Sequence, residues 1–442
     1  MGHLKLVVIG GGSSYTPELM DGIIQKKDDL PIKEVIFVEI KSGEEKVSIN
    51  TALVKRMFEN VEMDVKVSYT FDRKEALKGA NFVLTQLRVG GLKYRAKDER
   101  IPLKYGIIGQ ETTGPGGFAK ALRTIPVMID ICHDIELICP EAWLINFTNP
   151  AGIITEVIRK HTKVKVIGLC NVPIGMIYDA AEKIGAEPKD IYCQFVGLNH
   201  LSYVTNIYYK GKDYIDELVE KQIIEDATSE DGETLLKNIT SVEKSDTFLR
   251  SLGMLTSAYL QYFYYEDQMF KEALEDAQSE AGTRAEQVMK VEGELFELYK
   301  NVDRKEKPKE LEERGGSRYS EVAISLIDSI YNNKGEVHVV NTLNNGAIAD
   351  LADDCVVEIN CIVNSQGATP ITYGYLPASI RGLIQQVKSY EQLTIEAAIE
   401  GNRDKALLAL VANPLVHNVT QAQNILQDIL EENKKYLPTF VG

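Results

Sequence analysis

The sequence predicts an α/β fold in which a doubly wound parallel sheet is followed by an α+β region. Over the first 170 residues, short β-branched apolar runs alternate with amphipathic helical patterns. This alternation is typical of parallel β-α-β units with helices on both faces of a sheet. From about Pro173 it gives way to strand pairs and long acidic helical stretches. We therefore expect a first domain over residues 1–170 and a second over residues 171–442.

The strands of the predicted parallel sheet are apolar runs separated by helical patterns. They cover residues 4–10, 34–40, 65–71, 81–87, 142–148 and 164–170. The clearest helices between them cover residues 45–60 and 118–138, the second opened by the sequence GPGG. In the second half, strand signals occur at 191–209, 336–345 and 355–363, and helical stretches occur at 214–299 and towards the C-terminus.

Composition and charge indicate a soluble globular protein and limit its partners. The 442 residues are 44% hydrophobic and 26% charged, with a formal net charge of −16. This acidic balance disfavours binding to nucleic acid or to anionic membranes. No basic segment followed by an apolar run opens the chain, and the six cysteines form no CxxC pair, as expected for reduced thiols. We expect a cytoplasmic protein without nucleic-acid or membrane partners.

A glycine-rich turn follows the first predicted strand and precedes a helix that begins near Thr16. In dinucleotide-binding folds the glycines let the backbone approach a pyrophosphate at the helix N-terminus. The third glycine of that fingerprint is missing, so a plain turn is the alternative. A carboxylate at the end of the second strand favours NAD, because it accepts hydrogen bonds from ribose hydroxyls and repels a 2′-phosphate. The predicted NAD-binding residues of this Rossmann-like domain are Gly10, Gly11, Gly12, Ser13, Ser14 and Glu39.

A second group of polar residues lies at the carboxyl ends of later strands, where ligands bind in such sheets. Cys170 ends the sixth predicted strand, and His200 ends the strand signal that follows. A thiolate and an imidazole suit a divalent metal, and the position of Cys170 before a helix predicts a lowered thiol pKa. The alternative is a cysteine that acts as a small buried apolar group and a structural histidine.

Three basic residues follow the fourth strand in a chain that is otherwise acidic: Arg88, Lys93 and Arg95. Together they predict a site for an anion such as a phosphomonoester. A solvated basic helix face is the alternative.

Several sequence blocks, taken in order, resemble glycoside hydrolase family 4 over essentially the whole chain. They are GGGSSYTPEL, RAKDERIPLKYG, GQETTGPGG, NFTNPAG, CNVPIG, GLNH, AYLQY and NTLNNGAI. The resemblance implies that the α+β domain is similar to the C-terminal domain of lactate and malate dehydrogenases. It also implies a homodimer or homotetramer.

The resemblance implies an NAD- and manganese-dependent hydrolysis that differs from the paired-carboxylate chemistry of most glycosidases. The sugar is oxidised at carbon 3 with bound NAD, a base removes the proton on carbon 2, and the aglycone leaves from carbon 1. Water addition and return of the hydride complete the reaction, so there is no net oxidation. The implied substrates are 6-phospho-β-glucosides, either phosphorylated disaccharides or aryl glucosides, which yield glucose 6-phosphate and the aglycone.

Family roles for the chemistry carry over to matching positions of this sequence. Cys170 and His200 match the metal ligands, and the metal polarises oxygens of the sugar. Tyr259, the first tyrosine of the AYLQY block, matches the catalytic base. Glu111, in the GQETTGPGG block, matches the acidic residue that raises the basicity of this tyrosine.

Asn171, directly after the cysteine ligand, sets the predicted specificity. Family members that act on 6-phospho-α-glucosides tend to have an aspartate there as the acid for the leaving group, and an amide cannot supply that proton. Because of Asn171, we expect the chain to resemble the 6-phospho-β-glucosidase branch of the family. We also expect water to protonate the leaving group. The implied substrate contacts are Asn149 and Arg284 at the sugar, and Arg88 and Arg95, with Ser13, at the 6-phosphate.

Two other functions share parts of this pattern. A two-domain NAD-dependent 2-hydroxy-acid dehydrogenase has the same first-domain architecture, but it uses a His and Asp pair where this chain offers Cys170, Asn171 and His200. An NAD-binding sensor without catalysis is the third possibility, because a fold alone does not establish an activity.

Overall fold

The computed structural model describes residues 3–228, 244–314 and 318–440. Most strands of the described chain belong to one sheet, called here the main sheet. They are β1 (Leu4–Ile9), β2 (Ile32–Val38), β3 (Lys66–Thr70), β4 (Phe82–Thr85), β5 (Trp143–Asn146), β6 (Lys165–Gly168), β11 (Glu336–Leu343), β12 (Val356–Asn364) and β13 (Gly367–Pro370).

The main sheet has the order β13-β12-β11-β6-β5-β4-β1-β2-β3. Strands β1 to β6 run parallel to one another, and β11 joins β6 in the antiparallel sense where Asn341 pairs with Gly168. The chain order reverses between β1 and β4, which forms a crevice at the carboxyl ends of the parallel strands. Ligands of such sheets bind in that crevice.

The parallel strands are buried on both faces, which is why they consist of almost continuous apolar residues. Val7 and Val8 in β1 and Leu144 and Ile145 in β5 are fully buried. Helices from both halves of the chain cover the sheet, so that one apolar core connects its two faces.

A smaller sheet contains β7 (Tyr192–Leu198), β8 (Leu201–Tyr209), β9 (Lys212–Asp213) and β10 (Leu255–Thr256). Strands β7 and β8 form an antiparallel hairpin that is connected by Asn199 and His200. His200 lies in the left-handed region with φ of 64°, which is uncommon for a residue with a side chain. The hairpin turn therefore holds His200 in a specific orientation.

The helices lie between and after these strands. They are α1 (Thr16–Gln25), α2 (Glu44–Asn60), α3 (Arg73–Leu77), α4 (Gly91–Leu103), α5 (Gly114–Ile138), α6 (Ala151–His161), α7 (Val172–Ile184), α8 (Ile215–Thr228), α9 (Asp246–Leu252), α10 (Gln261–Tyr264), α11 (Glu266–Gln278), α12 (Arg284–Lys300), α13 (Tyr319–Tyr331), α14 (Ala378–Glu400), α15 (Arg403–Ala412) and α16 (Val419–Asn433). None of these described helices is both long and apolar enough to cross a membrane.

The predicted fold class is confirmed, and all six parallel strands are present. Five lie within their predicted ranges, whereas β2 (Ile32–Val38) begins two residues before the predicted range of 34–40 and ends two residues earlier. The predicted strands near residues 336–345 and 355–363 are also present, but they complete the main sheet. The helical stretch predicted for 214–299 includes residues 229–243, which lie outside the described residues. The division of the chain at residues 170 and 171 stays a prediction.

Candidate active site

The glycine-rich turn after β1 is tightly packed against the neighbouring strand. Gly10 adopts φ of +93°, which favours glycine. A Cβ on Gly11 would lie 2.4 Å from Cβ of Phe37. The Asn50 side chain donates hydrogen bonds of 2.8 Å to the carbonyl oxygens of Gly11 and Ser13. The carbonyl oxygens of the turn are therefore fixed by Asn50 of helix α2, and the backbone amides of the turn lie at the start of α1.

Two polar side chains suit a bound dinucleotide: Ser14 in this turn and Glu39, which follows β2 and contacts the turn. A carboxylate oxygen of Glu39 accepts a 2.8 Å hydrogen bond from the Gly12 amide, which places the carboxylate at the turn where ribose hydroxyls bind in this fold. The Ser14 hydroxyl is buried and has no hydrogen-bond partner among the described residues. Because a buried hydroxyl without a partner is costly, this atom fits a site whose phosphate would satisfy it.

Gly11→Ala is expected to lower the free energy of unfolding by about 1–3 kcal/mol, because the new methyl group overlaps Phe37. Gly175→Ala is the matched control: nothing lies within 4 Å of a Cβ at Gly175 in helix α7, so alanine should stabilise the helix by about 0.5–1 kcal/mol. Urea unfolding measures both changes. Equal stabilities of the Gly11→Ala variant and the wild type would contradict the packing described for this turn.

A thiol, an imidazole and a phenol meet beyond the carboxyl end of β6. Cys170 and His200 are each 8% exposed. The Tyr259 ring stacks on the His200 ring, with centroids 3.7 Å apart and planes 3° from parallel. The Tyr259 hydroxyl also interacts electrostatically with Cys170. The three side chains that were predicted as metal ligands and base therefore form one cluster.

This cluster fits a catalytic metal site. No group of three or more His, Cys, Asp or Glu residues that could hold a metal occurs among the described residues, so this chain offers the pair Cys170 and His200. The Thr112 hydroxyl lies 3.0 Å from Nδ1 of His200 and orients the ring, which leaves Nε2 for a ligand. A soft sulfur and an imidazole nitrogen with open positions suit a divalent cation that also binds substrate oxygens.

The predicted lowering of the Cys170 pKa is wrong for the protein without a cation. Burial, and then the nearby Glu358 carboxylate, raise the pKa of the Cys170 thiol above its ordinary value, although the amides of Asn171 and Val172 and the Asn199 side chain donate to the sulfur. The helix start alone does not offset the loss of hydration. Burial therefore favours the neutral thiol at Cys170.

Glu111 lies at the centre of three cationic side chains. Its carboxylate pairs with Arg88, with Nη1 of Arg95 at 3.1 Å and with Nζ of Lys120 at 2.7 Å. Burial favours the neutral acid, but the charges of Arg88, Arg95 and Lys120 hold the pKa of Glu111 well below its usual range. Glu111 also contributes to the raised pKa of Tyr259, after burial and Cys170. The cationic group, defined as Arg88, Arg95 and Lys120, thus lies next to the cluster of Cys170, His200 and Tyr259.

The predicted basic cluster is divided in the structure. Arg88 and Arg95 both reach Glu111, whereas Lys93 is exposed. Arg95 is buried and also pairs with Glu99 at 2.7 Å. The cationic group also contains Lys120, which was not predicted because it lies within the apolar pattern of α5. Its place in the sequence GFAKALR, one turn after the GPGG helix start, was the available signal.

The remaining predicted site residues lie on elements that border this cluster. Asn171 is the residue before α7, and Asn149 accepts a 3.2 Å hydrogen bond from the Ala151 amide at the start of α6. Arg284 is the first residue of α12, and the next amide, that of Ala285, donates a 2.8 Å hydrogen bond to Glu99. The Glu99 carboxylate therefore links the start of α12 to the cationic group.

The carboxyl edge of the main sheet carries both parts of the candidate site. The dinucleotide-type turn follows β1, and the cluster of thiol, imidazole and phenol groups lies beyond β6. This combination defines a class of Rossmann-like enzymes in which a nucleotide and a metal-bound substrate meet. The family described as Family 4 glycosyl hydrolase matches residues 5–186, and the Family 4 glycosyl hydrolase C-terminal domain matches residues 195–416. The chain belongs to family 4 of the glycosyl hydrolases.

Whole-chain relatives have names that specify phosphorylated glucosides. A probable 6-phospho-β-glucosidase from Bacillus subtilis is 49% identical, and the alignment covers 99% of this chain and 98% of the relative. A structure of the 6-phospho-β-glucosidase from Thermotoga maritima, solved with manganese, NAD+ and glucose 6-phosphate, is 40% identical in sequence. Its TM-score is 0.89, and the match covers 98% of this chain and 99% of that chain. A phospho-α-glucosidase from Clostridium acetobutylicum is 32% identical over 99% of both chains.

The fold is also similar to that of lactate dehydrogenase. A lactate dehydrogenase from a deep-sea metagenome library has a TM-score of 0.54 at 13% identity, and the match covers 90% of this chain and 100% of that one. At this identity the likeness concerns the fold alone. It confirms the predicted dehydrogenase-like architecture but does not support dehydrogenase chemistry.

Proposed function

We propose that this protein hydrolyses 6-phospho-β-glucosides to glucose 6-phosphate and an aglycone by an NAD- and manganese-dependent oxidation and elimination. The observation that carries the proposal is the stacking of Tyr259 on His200 beside Cys170. Names of relatives at 49% and 40% identity support the substrate class. A phenol on a metal ligand suits abstraction of a proton next to a metal-bound oxygen.

Each part of the site has a role in this reaction. Bound NAD would supply reversible oxidation at carbon 3, and a divalent cation on Cys170 and His200 would polarise the oxygens on carbons 2 and 3. The turn from Gly10 to Ser14 with Glu39 holds the nucleotide. Tyr259 removes the proton on carbon 2. Because burial raises its pKa, Tyr259 needs nearby positive charge in order to act as a base at neutral pH.

The substrate contacts follow from the cationic group and its neighbours. Arg88 and Arg95 hold the 6-phosphate with Ser13, and Lys120 adds a third positive charge to this site. Asn149 and Arg284 contact the sugar. Glu111 and Glu99 neutralise only part of the positive charge of Arg88, Arg95 and Lys120, so the site retains an attraction for a phosphate.

The preference for β-linked substrates rests on Asn171. Its amide follows the cysteine ligand at the start of α7, where an acid would protonate an α-linked leaving group. An amide does not supply this proton, so the leaving group receives it from water. The chain is 49% identical to a probable 6-phospho-β-glucosidase and 32% identical to a phospho-α-glucosidase, which supports the same preference.

The direct test is release of p-nitrophenol from its 6-phospho-β-glucoside with manganese, NAD and a reductant present. We expect turnover that stops when either manganese or NAD is removed, without accumulation of NADH. Turnover that does not need NAD would contradict the proposal. Faster turnover of the 6-phospho-α-glucoside would contradict the role given to Asn171.

The affinity for glucose 6-phosphate is expected to fall about tenfold between pH 7 and pH 9. Burial, and then the charge of Arg88, lower the pKa of Lys120 from 10.5 to about 7, so this side chain is cationic below that pH and neutral above it. Loss of one buried positive charge removes a charge-assisted contribution to phosphate binding.

The control for this pH dependence is Lys120→Met, which should bind glucose 6-phosphate more weakly and with the same affinity at pH 7 and pH 9. Isothermal titration calorimetry at the two values measures both proteins. A wild-type affinity that does not change across this range would contradict the titration of Lys120.

We further propose that the protein is cytoplasmic and forms a homodimer or homotetramer. All six cysteines are buried and unpaired, which suits a reducing compartment. Light scattering coupled to gel filtration tests the oligomeric state. A monomer at micromolar concentration would contradict it.

A further inference from the structure

Glu358 is a buried carboxylate with three hydrogen-bond donors around it. It lies on β12 and is 1% exposed. The Asn199 and Asn341 side-chain amides donate to Oε2 at 3.0 and 3.1 Å, and the Ser202 hydroxyl donates to Oε1 at 3.0 Å. In the part of the chain that the structure describes, Glu358 forms no salt bridge. A buried carboxylate without a cationic partner is rare in a core and calls for a functional reason.

Two of these donors flank His200 in the hairpin turn. Asn199 precedes His200, and Ser202 follows it by two positions. The turn is narrow, because a Cβ on Gly197 would lie 2.2 Å from the carbonyl oxygen of Leu201, and His200 itself has a φ of 64°. A conformation of this kind persists only where neighbouring groups hold it. Glu358 holds the turn from both sides.

The same carboxylate reaches the strand that presents Cys170. Asn341 pairs with Gly168 of β6, two residues before Cys170, and the Asn199 side chain lies close enough to Cys170 to lower the pKa of its thiol. The hydrogen bonds of Glu358 therefore connect the His200 turn to the end of β6. These two elements come from different sheets and carry the two predicted metal ligands.

We propose that Glu358 is a positioning residue that fixes His200 and Cys170 relative to each other for the divalent cation, an inference that rests on the proposed function. Side chains that orient metal ligands in this way commonly change the metal affinity by 10- to 100-fold when they are lost. The carboxylate acts through Asn199, Ser202 and Asn341, and it touches neither the substrate nor the cation.

Two substitutions of Glu358 separate its hydrogen bonds from its bulk. Glu358→Met keeps a similar length but replaces both oxygen acceptors with a weakly accepting thioether, and is expected to weaken manganese binding 10- to 100-fold. Glu358→Gln keeps an oxygen for Asn199 and Asn341, while its amide group donates to the Ser202 hydroxyl. We expect it to bind manganese with an affinity within about threefold of the wild type, because the network is preserved.

Asn360→Ala is the matched control on the same face of β12. The Asn360 side chain is buried and hydrogen-bonds the β7 backbone at Phe195 and Cys193, away from the His200 turn. Its loss should lower the thermal midpoint and leave manganese affinity unchanged. If Glu358→Met does not fold, Ser202→Ala decides the question, with an expected weakening of about threefold to tenfold.

Each protein is titrated with Mn²⁺, and the free-manganese signal in electron paramagnetic resonance gives the manganese affinity. NADH fluorescence tests whether the nucleotide site of each variant is folded. A wild type that does not bind Mn²⁺ would overturn the proposed function itself. The role of Glu358 alone would be overturned if the wild type binds Mn²⁺ and a folded Glu358→Met variant, or the Ser202→Ala variant, binds it with the same affinity. An equal loss in Asn360→Ala would also overturn it.

Discussion

Tyr259→Phe is expected to lower kcat by about 10²- to 10⁴-fold, the contribution typical of a general base. The substitution removes a single oxygen atom. The phenylalanine ring can keep the stacking on His200 at 3.7 Å, and the buried volume stays nearly the same. The affinities for Mn²⁺, NAD and glucose 6-phosphate should therefore remain within about threefold of the wild type, because only the proton transfer is lost.

Tyr262→Phe is the matched control for this prediction. Tyr262 lies in the same sequence block, is 7% exposed, and its ring centroid lies 6.2 Å from that of Tyr259. It has no role in the proposed reaction, so kcat should stay within about threefold of the wild type. Steady-state release of p-nitrophenol, together with binding titrations, measures both variants. A Tyr259→Phe enzyme with wild-type kcat would show that another group acts as the base.

Cys170→Ser is expected to weaken Mn²⁺ binding by more than about 100-fold, beyond the effect typical of residues that only support a ligand. A hydroxyl replaces the soft thiolate and stays protonated at neutral pH. Turnover should fall in parallel, because the cation polarises the sugar oxygens. Addition of millimolar manganese should restore part of the activity if affinity is the main loss.

Cys193→Ser serves as the control for the cysteine substitution. Cys193 is also buried, at 4% exposed, but it lies in the apolar cluster between the smaller sheet and its helices. Its replacement should cost stability and leave manganese affinity unchanged. If Cys170→Ser bound Mn²⁺ as tightly as the wild type, the assignment of the metal ligands would be wrong.

The local features of the fold were predictable from the sequence. β-Branched apolar runs identified β1 to β6, because strands buried on both faces have continuous apolar patterns. Gly10 and Gly11 stand where the backbone needs positive φ or a close approach to Phe37. These features depend on residues that are close together in the chain, so local sequence patterns predict them.

Features that depend on distant parts of the chain were missed or mispredicted. The main sheet is completed through the pairing of Asn341 with Gly168, which no local pattern indicates. The Cys170 pKa is raised by burial and by Glu358, a residue far along the chain, so the helix start alone gave the wrong sign. The cationic group includes Lys120 because helix α5 directs it towards Glu111.

The family resemblance contributed what local patterns left open. From the residues alone, a buried thiol at Cys170 and a structural histidine at His200 remained a serious alternative to a metal site. The stacking of Tyr259 on His200 and the family match over residues 5–186 and 195–416 agree with that resemblance. The individual roles of the site residues remain predictions that the variants above test.

Incorporation of deuterium tests the proposed chemistry most directly. Hydrolysis of p-nitrophenyl 6-phospho-β-glucoside is carried out in D₂O with manganese and NAD, and the glucose 6-phosphate product is analysed by NMR and mass spectrometry. Because Tyr259 removes the proton on carbon 2 and exchanges it with solvent before it is returned, we expect deuterium at carbon 2 of the product. A product that retains only hydrogen at carbon 2 would contradict the elimination mechanism and indicate direct displacement at carbon 1.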